Sequence, residues 1–434
     1  MYNLKRVLII TYYWPPCGGI SIIRPLKLVK YLKGFGWEPI VCTAENPHYP
    51  IEDKETLNEI NDEIEIIKVP IFEPYNIYKK ITGQKKKSDL VDVIQNSANR
   101  SYFHKLSIWI RGNIFIPDAR CFWIKPVVKK ISSYIKNNSV DAIITTGPPH
   151  TVNRIGYLLK KLHKIPWIAD FQDPWTQVDY YKYFKISSLA NRLHKKMERQ
   201  IFNNADLITI VSNSWKSDLK SIGAKKVEVI PLGYDPDDFK ENIKLDNYFT
   251  LTHLGLLGID RNPLILLKAI KNICSKNKDF STNFRLQLVG KVNDELKTQI
   301  DNLQLSKNVI YIDQVSRDKA LKIMQSSHLL LLLLNKANNV SGRVPGKVFE
   351  YFGSKRPILS IGPSGTDIES MINNTFSGQN INYDNYKSMC DFLIQNYNQF
   401  NSKKTKIFTN KTNIYSHLEI TTKFAKYLNK ITKK

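Results

Sequence analysis

Two glycine-bearing turns hold most of the groups in this chain that could do chemistry. One lies in Val340-Ser-Gly-Arg-Val-Pro-Gly-Lys-Val-Phe-Glu-Tyr351, shortly after a run of six leucines. Pro345-Gly346-Lys347 opens a helix whose first N–H groups have no partner and favour an anion, and Arg343 and Lys347 add full charges. Glu350, one turn further on, is placed to accept hydrogen bonds from a ribose-like diol; a solvated helix carboxylate is the plainer alternative. The other turn is Thr11-Tyr-Tyr-Trp-Pro-Pro-Cys-Gly-Gly-Ile20, between a strand and a helix. Gly18 and Gly19 allow positive φ and close backbone approach to a phosphate. An ordinary strand-to-helix connection explains them as well, and neither a Walker A nor a GxGxxG pattern occurs.

The acids and histidines sort by where they fall. Asp170 and Asp173, in Asp170-Phe-Gln-Asp-Pro-Trp175, follow a strand end and are expected to point into a ligand cleft. His150, after Gly147-Pro-Pro149, is similarly placed; it is a candidate acceptor-side group or simply a loop imidazole. Asp235-Pro-Asp237 has the Asp-x-Asp form of some metal sites but reads as linker and helix cap. The other histidines are dispersed, and five cysteines without a CxxC suggest neither a zinc site nor a disulfide framework, which fits a reducing cytoplasm.

Short apolar runs alternating with helical periodicity position these groups, the signature of β-α units around a parallel sheet. In the first half, strands are expected over 7–12, 39–43, 64–69, 142–145, 167–170, 207–211 and 227–230, with helices over 22–35, 152–163, 188–203 and 214–222. A turn-rich acidic stretch, 231–239, interrupts the pattern. Strands over 250–253, 285–289, 309–312, 329–334 and 357–360 then alternate with helices over 263–274, 294–303, 317–324 and 347–352. A chain of 434 residues is long for one core. The expected division is a Rossmann-like domain over 1–235, a linker over 236–247, a second over 248–412, and a basic terminal helix over 413–434 packing back on the first. A ligand is expected in the cleft between the two, at the carboxyl ends of the strands.

The formal net charge is +25 and is regional. Residues 101–200 hold 17 Lys and Arg against 6 acids, residues 401–434 hold 9 against 1, and residues 51–100 hold 8 against 10. In the first of these regions aromatics interleave with the cations, among them Trp109, Arg111, Phe115, Arg120, Phe122, Trp123 and Lys125. Such a segment suits an anionic lipid surface, and a core-packing helix with solvated lysines is the alternative. A nucleic-acid partner is disfavoured because no helix-turn-helix, RNP or zinc-finger pattern accompanies the charge. No apolar run approaches the roughly 20 residues of a spanning helix.

Taken in order, Tyr12-Tyr-Trp-Pro-Pro-Cys-Gly-Gly-Ile20, Arg24-Pro-Leu-Lys27, Gly36-Trp-Glu-Pro39, Ile116-Pro-Asp-Ala-Arg120, Thr145-Thr-Gly-Pro-Pro149, Trp167-Ile-Ala-Asp-Phe-Gln-Asp-Pro-Trp175 and Pro345-Gly-Lys-Val-Phe-Glu-Tyr351 resemble glycosyltransferase family 4. The resemblance implies the GT-B fold, two Rossmann-like domains with parallel sheets facing across a cleft. It also implies a retaining, metal-independent transferase that binds a nucleotide sugar in its second domain and builds glycolipids or polysaccharides. By the same resemblance, Gly18 and Gly19 approach the donor diphosphate, Glu350 holds the ribose, and Arg261, at the start of the second domain's first helix, is a diphosphate-binding cation. A surface salt bridge with Asp260 is the alternative for Arg261.

Two departures stand out. The first acid of the family's Glu-x7-Glu motif falls on Gly342, which puts the identity of the sugar in doubt, and Leu256 stands where many members carry an Arg. Arg343 or Lys347 could compensate. The expected activity is transfer of a sugar to a hydroxyl of a lipid-linked or saccharide acceptor, by a cytoplasmic protein peripherally bound to an anionic membrane. The alternatives are a GT-B nucleotide-sugar epimerase and a non-catalytic basic protein that binds membrane or RNA.

Overall fold

The computed structural model describes residues 4–73, 102–240, 243–258, 261–336, 340–403 and 410–433. They form two compact units, one of residues 1–232 with 417–434 and one of residues 233–416.

The first unit runs β1 (Lys5–Thr11), α1 (Ile23–Leu32), β2 (Trp37–Ala44), β3 (Glu65–Val69), α2 (Tyr102–Asn113), α3 (Ile124–Asn137), β4 (Ala142–Thr146), α4 (Thr151–His163), β5 (Trp167–Asp170), α5 (Ser188–Asn204), β6 (Leu207–Ile210), α6 (Asn213–Ser221) and β7 (Val227–Val229). All its described strand pairs are parallel, in the order β3-β2-β1-β4-β5-β6-β7. Val7 to Ile10 and Ala142 to Ile144 are fully buried, as central strands covered on both faces require. The direction of strand addition reverses between β1 and β4, and the carboxyl ends at that reversal are where such sheets bind ligands. α4 shows why these helices form and stop. Val152, Ile155 and Leu159 share a buried stripe, and Lys164 closes the helix in the left-handed conformation, its N–H donating to Lys160 O.

The second unit runs β8 (Phe249–Leu254), α7 (Leu264–Lys276), α8 (Lys278–Asn283), β9 (Phe284–Val289), α9 (Asp294–Asn302), β10 (Val309–Ile312), α10 (Arg317–Ser326), β11 (Leu329–Leu333), α11 (Lys347–Ser354), β12 (Ile358–Ile361), α12 (Asp367–Thr375), β13 (Gly378–Ile381) and α13 (Tyr386–Asn401). Its parallel sheet has the order β10-β9-β8-β11-β12-β13, with the reversal between β8 and β11. The leucine run is the central strand β11, and each of its buried side chains is worth roughly 1.5–3 kcal/mol of transfer free energy.

The final helix, α14 (His417–Thr432), belongs to the first unit. Ile420, Phe424, Ala425 and Leu428 enter the core of that unit, and Trp37 Nε1 donates to Asn429 Oδ1 at 3.3 Å.

Three expectations differ from this architecture. The described residues of the expected linker, 236–240 and 243–247, belong to the second unit: Asp235 accepts from Asp237 N, and Asp238 is 2.7 Å from Arg317. Strand β13 and its flanking helices α12 and α13 went unanticipated. Gly378-Gln-Asn-Ile381 has almost no strand-favouring side chains, and the neighbouring β12 sets its conformation. In the basic region, Trp123 and Arg120 do not stand with the exposed aromatics and cations. Trp123 is fully buried and donates to Val69 O, and Arg120 pairs with Glu73 and lies over the Tyr12 ring.

Candidate active site

In the second unit the carboxyl ends of β8 and β11 meet the start of α11. Lys347 is the first residue of α11 and donates from Nζ to Leu254 O at 2.6 Å. The chain leaves β8 through Gly255, whose φ of 106° suits glycine; a β-carbon there would lie 3.1 Å from Lys347 Nζ, so the glycine gives the ammonium its space. Arg261 Nε donates to Asn335 Oδ1 at 2.5 Å, just beyond β11. Burial, assisted by the charge of Arg261 and opposed by Glu350, pushes the Lys347 ammonium down to about 8. Two cations are thus held close together at a helix start, a costly arrangement that an anion would relieve.

Glu350, on the same helix, is 3.5 Å from Arg317 Nε, and Arg317 also reaches Asp238. Burial raises the Glu350 carboxyl, with Arg317 opposing. Gly346 caps α11, and Arg343 is half-buried, with its backbone N–H on Val340 O. His253 was not anticipated. It is fully buried beside these cations, and its Nδ1 must donate to Leu331 O at 3.0 Å, since a carbonyl only accepts; Nε2 has no partner among the described residues. Burial first, then Lys347 and Arg261, hold its pKa well below the ordinary value, so the ring is neutral. Only its place at the end of a strand could have flagged it.

The first unit presents a different chemistry at its strand ends. Asp170 does not point into a ligand space; that expectation is corrected. Its carboxylate is fully buried, accepts from Thr146 Oγ1 at 2.9 Å and Thr209 Oγ1 at 2.7 Å, and lies 3.4 Å from Arg24 Nη1. Arg24 is buried as well, donates to Ile230 O, and packs against the Phe424 ring of α14. Burial pushes the Asp170 carboxyl up and the Arg24 guanidinium down, each opposed by the charge of the other. The pair fastens the sheet from within. Asp173 is half-buried beyond it, where Phe171-Gln172 turns the chain and Gln172 donates to Thr146 Oγ1.

His150, at the start of α4, is 8 % exposed and stacks on Trp175, with ring centroids 5.0 Å apart and planes inclined by 9°. Its Nδ1 is buried without a hydrogen-bond partner among the described residues. Burial pushes its pKa down to about 4, opposed by Asp118 and a hydrogen bond to the Pro174 backbone. Gly18 is buried and Gly19 exposed. Gly18 N donates to Ile51 O at 3.0 Å, and Gly19, at φ 88°, leads into the turn before α1.

The structure therefore brings Lys347, Arg261, Gly346 and Glu350 to one strand-end site and His150 and Asp173 to another, and it withdraws Asp170 into the core.

Comparison with known proteins agrees with both units. Glycosyltransferase Family 4 matches residues 90–238, and Glycosyl transferases group 1 matches residues 235–359. No curated protein matches the chain in sequence. Among solved structures, a glycosyltransferase from Rickettsia africae is 16 % identical with TM-score 0.61, the match covering 100 % of both chains. Anabaena HepE in complex with UDP is 13 % identical with TM-score 0.61, covering 98 % of this chain and 100 % of the other. WaaG, a glycosyltransferase involved in lipopolysaccharide biosynthesis, is 14 % identical with TM-score 0.53, covering 97 % and 99 %. At such identities the structural likeness speaks for the fold. With two parallel-sheet α/β units and family matches that together span most of the sequence, the chain is a GT-B glycosyltransferase of the family 4 type.

Proposed function

We propose that this enzyme transfers a sugar from a nucleoside diphosphate sugar to a hydroxyl of a lipid-linked or saccharide acceptor, with retention and without a metal. The observation that carries the reading is the Lys347–Arg261 pair beside the start of α11, where a departing diphosphate would be met by two cations. Glycosyl transfer passes through an oxocarbenium-like state. Its main demand here is stabilisation of charge developing on the leaving phosphate, and positive groups already in place do this with little reorganisation.

In this reading Glu350 accepts from the donor ribose and Arg343 adds charge near the phosphates. His150 and Asp173 lie on the acceptor side. The leaving phosphate takes the acceptor proton as the new bond forms on the same face. The likeness to HepE, whose structure contains UDP, supports a nucleotide donor, and the likeness to WaaG supports a glycolipid acceptor.

A membrane setting is part of the proposal. Trp109 is 41 % exposed and Phe122 47 %, the latter in contact with Phe72 and Phe115, while Lys105, Lys125, Lys129 and Lys130 are also exposed. Apolar rings among lysines suit a headgroup layer. Among the described residues no helix is long and apolar enough to cross a membrane.

Thermal shift against nucleoside diphosphates and their sugars tests the donor reading, since a ligand of the folded state raises the melting temperature by mass action. One nucleotide series should stand out, and Glu350→Ala should weaken its binding by about tenfold, the scale of one hydrogen bond to a charged group. No shift with any nucleotide, or an epimerised donor as the product, would overturn it. Sedimentation with anionic vesicles at low salt tests the membrane part, which fails if the protein stays in the supernatant.

A further inference from the structure

His194 is a buried residue of α5 at 3 % exposure, and both of its ring nitrogens are engaged. Trp175 Nε1 lies 3.1 Å from its Nδ1, and its Nε2 lies 3.2 Å from the carbonyl oxygen of Gly112 at the end of α2. An indole nitrogen only donates and a carbonyl only accepts. The two partners therefore select one neutral tautomer, with a lone pair on Nδ1 and a proton on Nε2. The anchored indole is the plate on which His150 stacks.

A second tie runs in parallel. Asp118, shortly after α2, accepts from Thr151 N at 2.8 Å and from Thr151 Oγ1 at 2.9 Å, and Thr151 is the neighbour of His150. The β4–α4 turn is thus fastened to the segment that follows the basic, aromatic helix α2, and the loop after β5 is fastened through His194 to the last turn of α2 itself.

We propose that His194 is a positioning residue: it holds the indole of Trp175 against His150 and joins that pair to the carbonyl end of α2. Its bearing on transfer rests on the proposed function, which places the acceptor beside His150. His194 has no contact with the reacting atoms in this scheme. It acts by keeping the imidazole of His150 in one orientation under an apolar cover, and displacement of reacting groups by about 1 Å is enough to cost roughly 100-fold in rate.

The test reads His150 directly, by NMR titration of the full-length protein labelled with 15N-histidine. The titratable groups acting on His150 are Asp118, which raises its pKa, and His194, which lowers it only when protonated; burial dominates both. In His194→Phe, Trp175 loses its acceptor, water reaches His150, and its midpoint should climb from about 4 toward the ordinary 6.5. His194→Asn removes the same titratable group but restores an acceptor oxygen for the indole, so it should bring the midpoint back.

Trp175→Phe, which keeps a ring but no N–H, should by itself raise the midpoint, and His194→Phe added to it should change little further, because residues acting through one contact are not additive. An unchanged His150 in Trp175→Phe, or in His194→Phe, overturns the proposal. So does equal displacement in the Phe and Asn variants, which would mean that the acceptor for the indole plays no part. If His194→Phe does not fold, Trp175→Phe and His194→Asn still decide the matter. Failure of every nucleotide sugar to be turned over would remove the proposed reaction while leaving this titration readable.

Discussion

The strand ends of the two units differ in how their charges are settled. In the first unit, the buried Asp170 and Arg24 face each other, the neutral ring of His150 stacks on Trp175, and Asp173 lies half-buried beyond them. In the second, Lys347 and Arg261 are held together with their hydrogen bonds directed to the neutral oxygens of Leu254 and Asn335, and the nearby Glu350 is shared with Arg317. The same sheet reversal thus carries a stacked His150–Trp175 pair in one case and two neighbouring cations in the other. A hydroxyl acceptor suits the first surface and a diphosphate the second.

The comparison would break most visibly at Asp170. If its charge is internal structure, Asp170→Asn leaves the Arg24 guanidinium buried without its counter-charge, at a cost of about 3–5 kcal/mol in stability. The melting temperature should fall markedly, while affinity for a nucleoside diphosphate, measured below the melting range, stays as in the wild type. A stable Asp170→Asn protein that binds nucleotide but has lost transfer would return this carboxylate to the reacting site.

Asp170 also shows what could be read from sequence and what could not. Its position at a strand end was legible, because Trp167-Ile-Ala-Asp170 has strand length and is followed by turn-forming residues. Its partner was not, since Arg24 lies on the first helix and neither local pattern nor spacing ties the two together. The leucines of β11 and the start of α11 at Lys347 were legible for the opposite reason: a continuous apolar run and a Pro-Gly opening are local signals. His194 had no such signal, because its role is set by Trp175 and Gly112, which come from other elements. Local chemistry was readable along the chain, and pairings made by the tertiary fold were not.

A smaller effect is expected at Lys347. If the second unit's cations are there for phosphate, Lys347→Ala should lower kcat/KM for the nucleotide sugar by roughly 100- to 1,000-fold, the scale of losing one preorganised group that meets developing negative charge. Steady-state kinetics with the donor found by thermal shift would measure it. A loss below about threefold would mean that the ammonium serves only the Leu254 carbonyl, and the contrast between the two surfaces would lose its functional meaning.

The finest test of that contrast is pH. In the empty protein Lys347 titrates near about 8, because burial and Arg261 disfavour its charge. A bound diphosphate favours the ammonium and raises that value, so above about pH 8 the complex holds more protons than the free protein and affinity falls as pH rises, by at most about tenfold per unit. The second ionisation of a phosphate, near about pH 6, is already complete in this range. The folding linkage has the opposite sign: the unfolded lysine retains its proton up to its ordinary value of 10.5, so this group makes the empty protein more stable as pH climbs through the same window. Calorimetric titration with the nucleoside diphosphate from pH 7 to about 9.5 should therefore show weakening affinity and proton uptake from the buffer. Lys347→Met should lose that dependence. An affinity that is flat in the wild type, or that falls equally in the Met variant, would assign the phosphate field to Arg261 and Arg343 and leave Lys347 as a strut between α11 and β8.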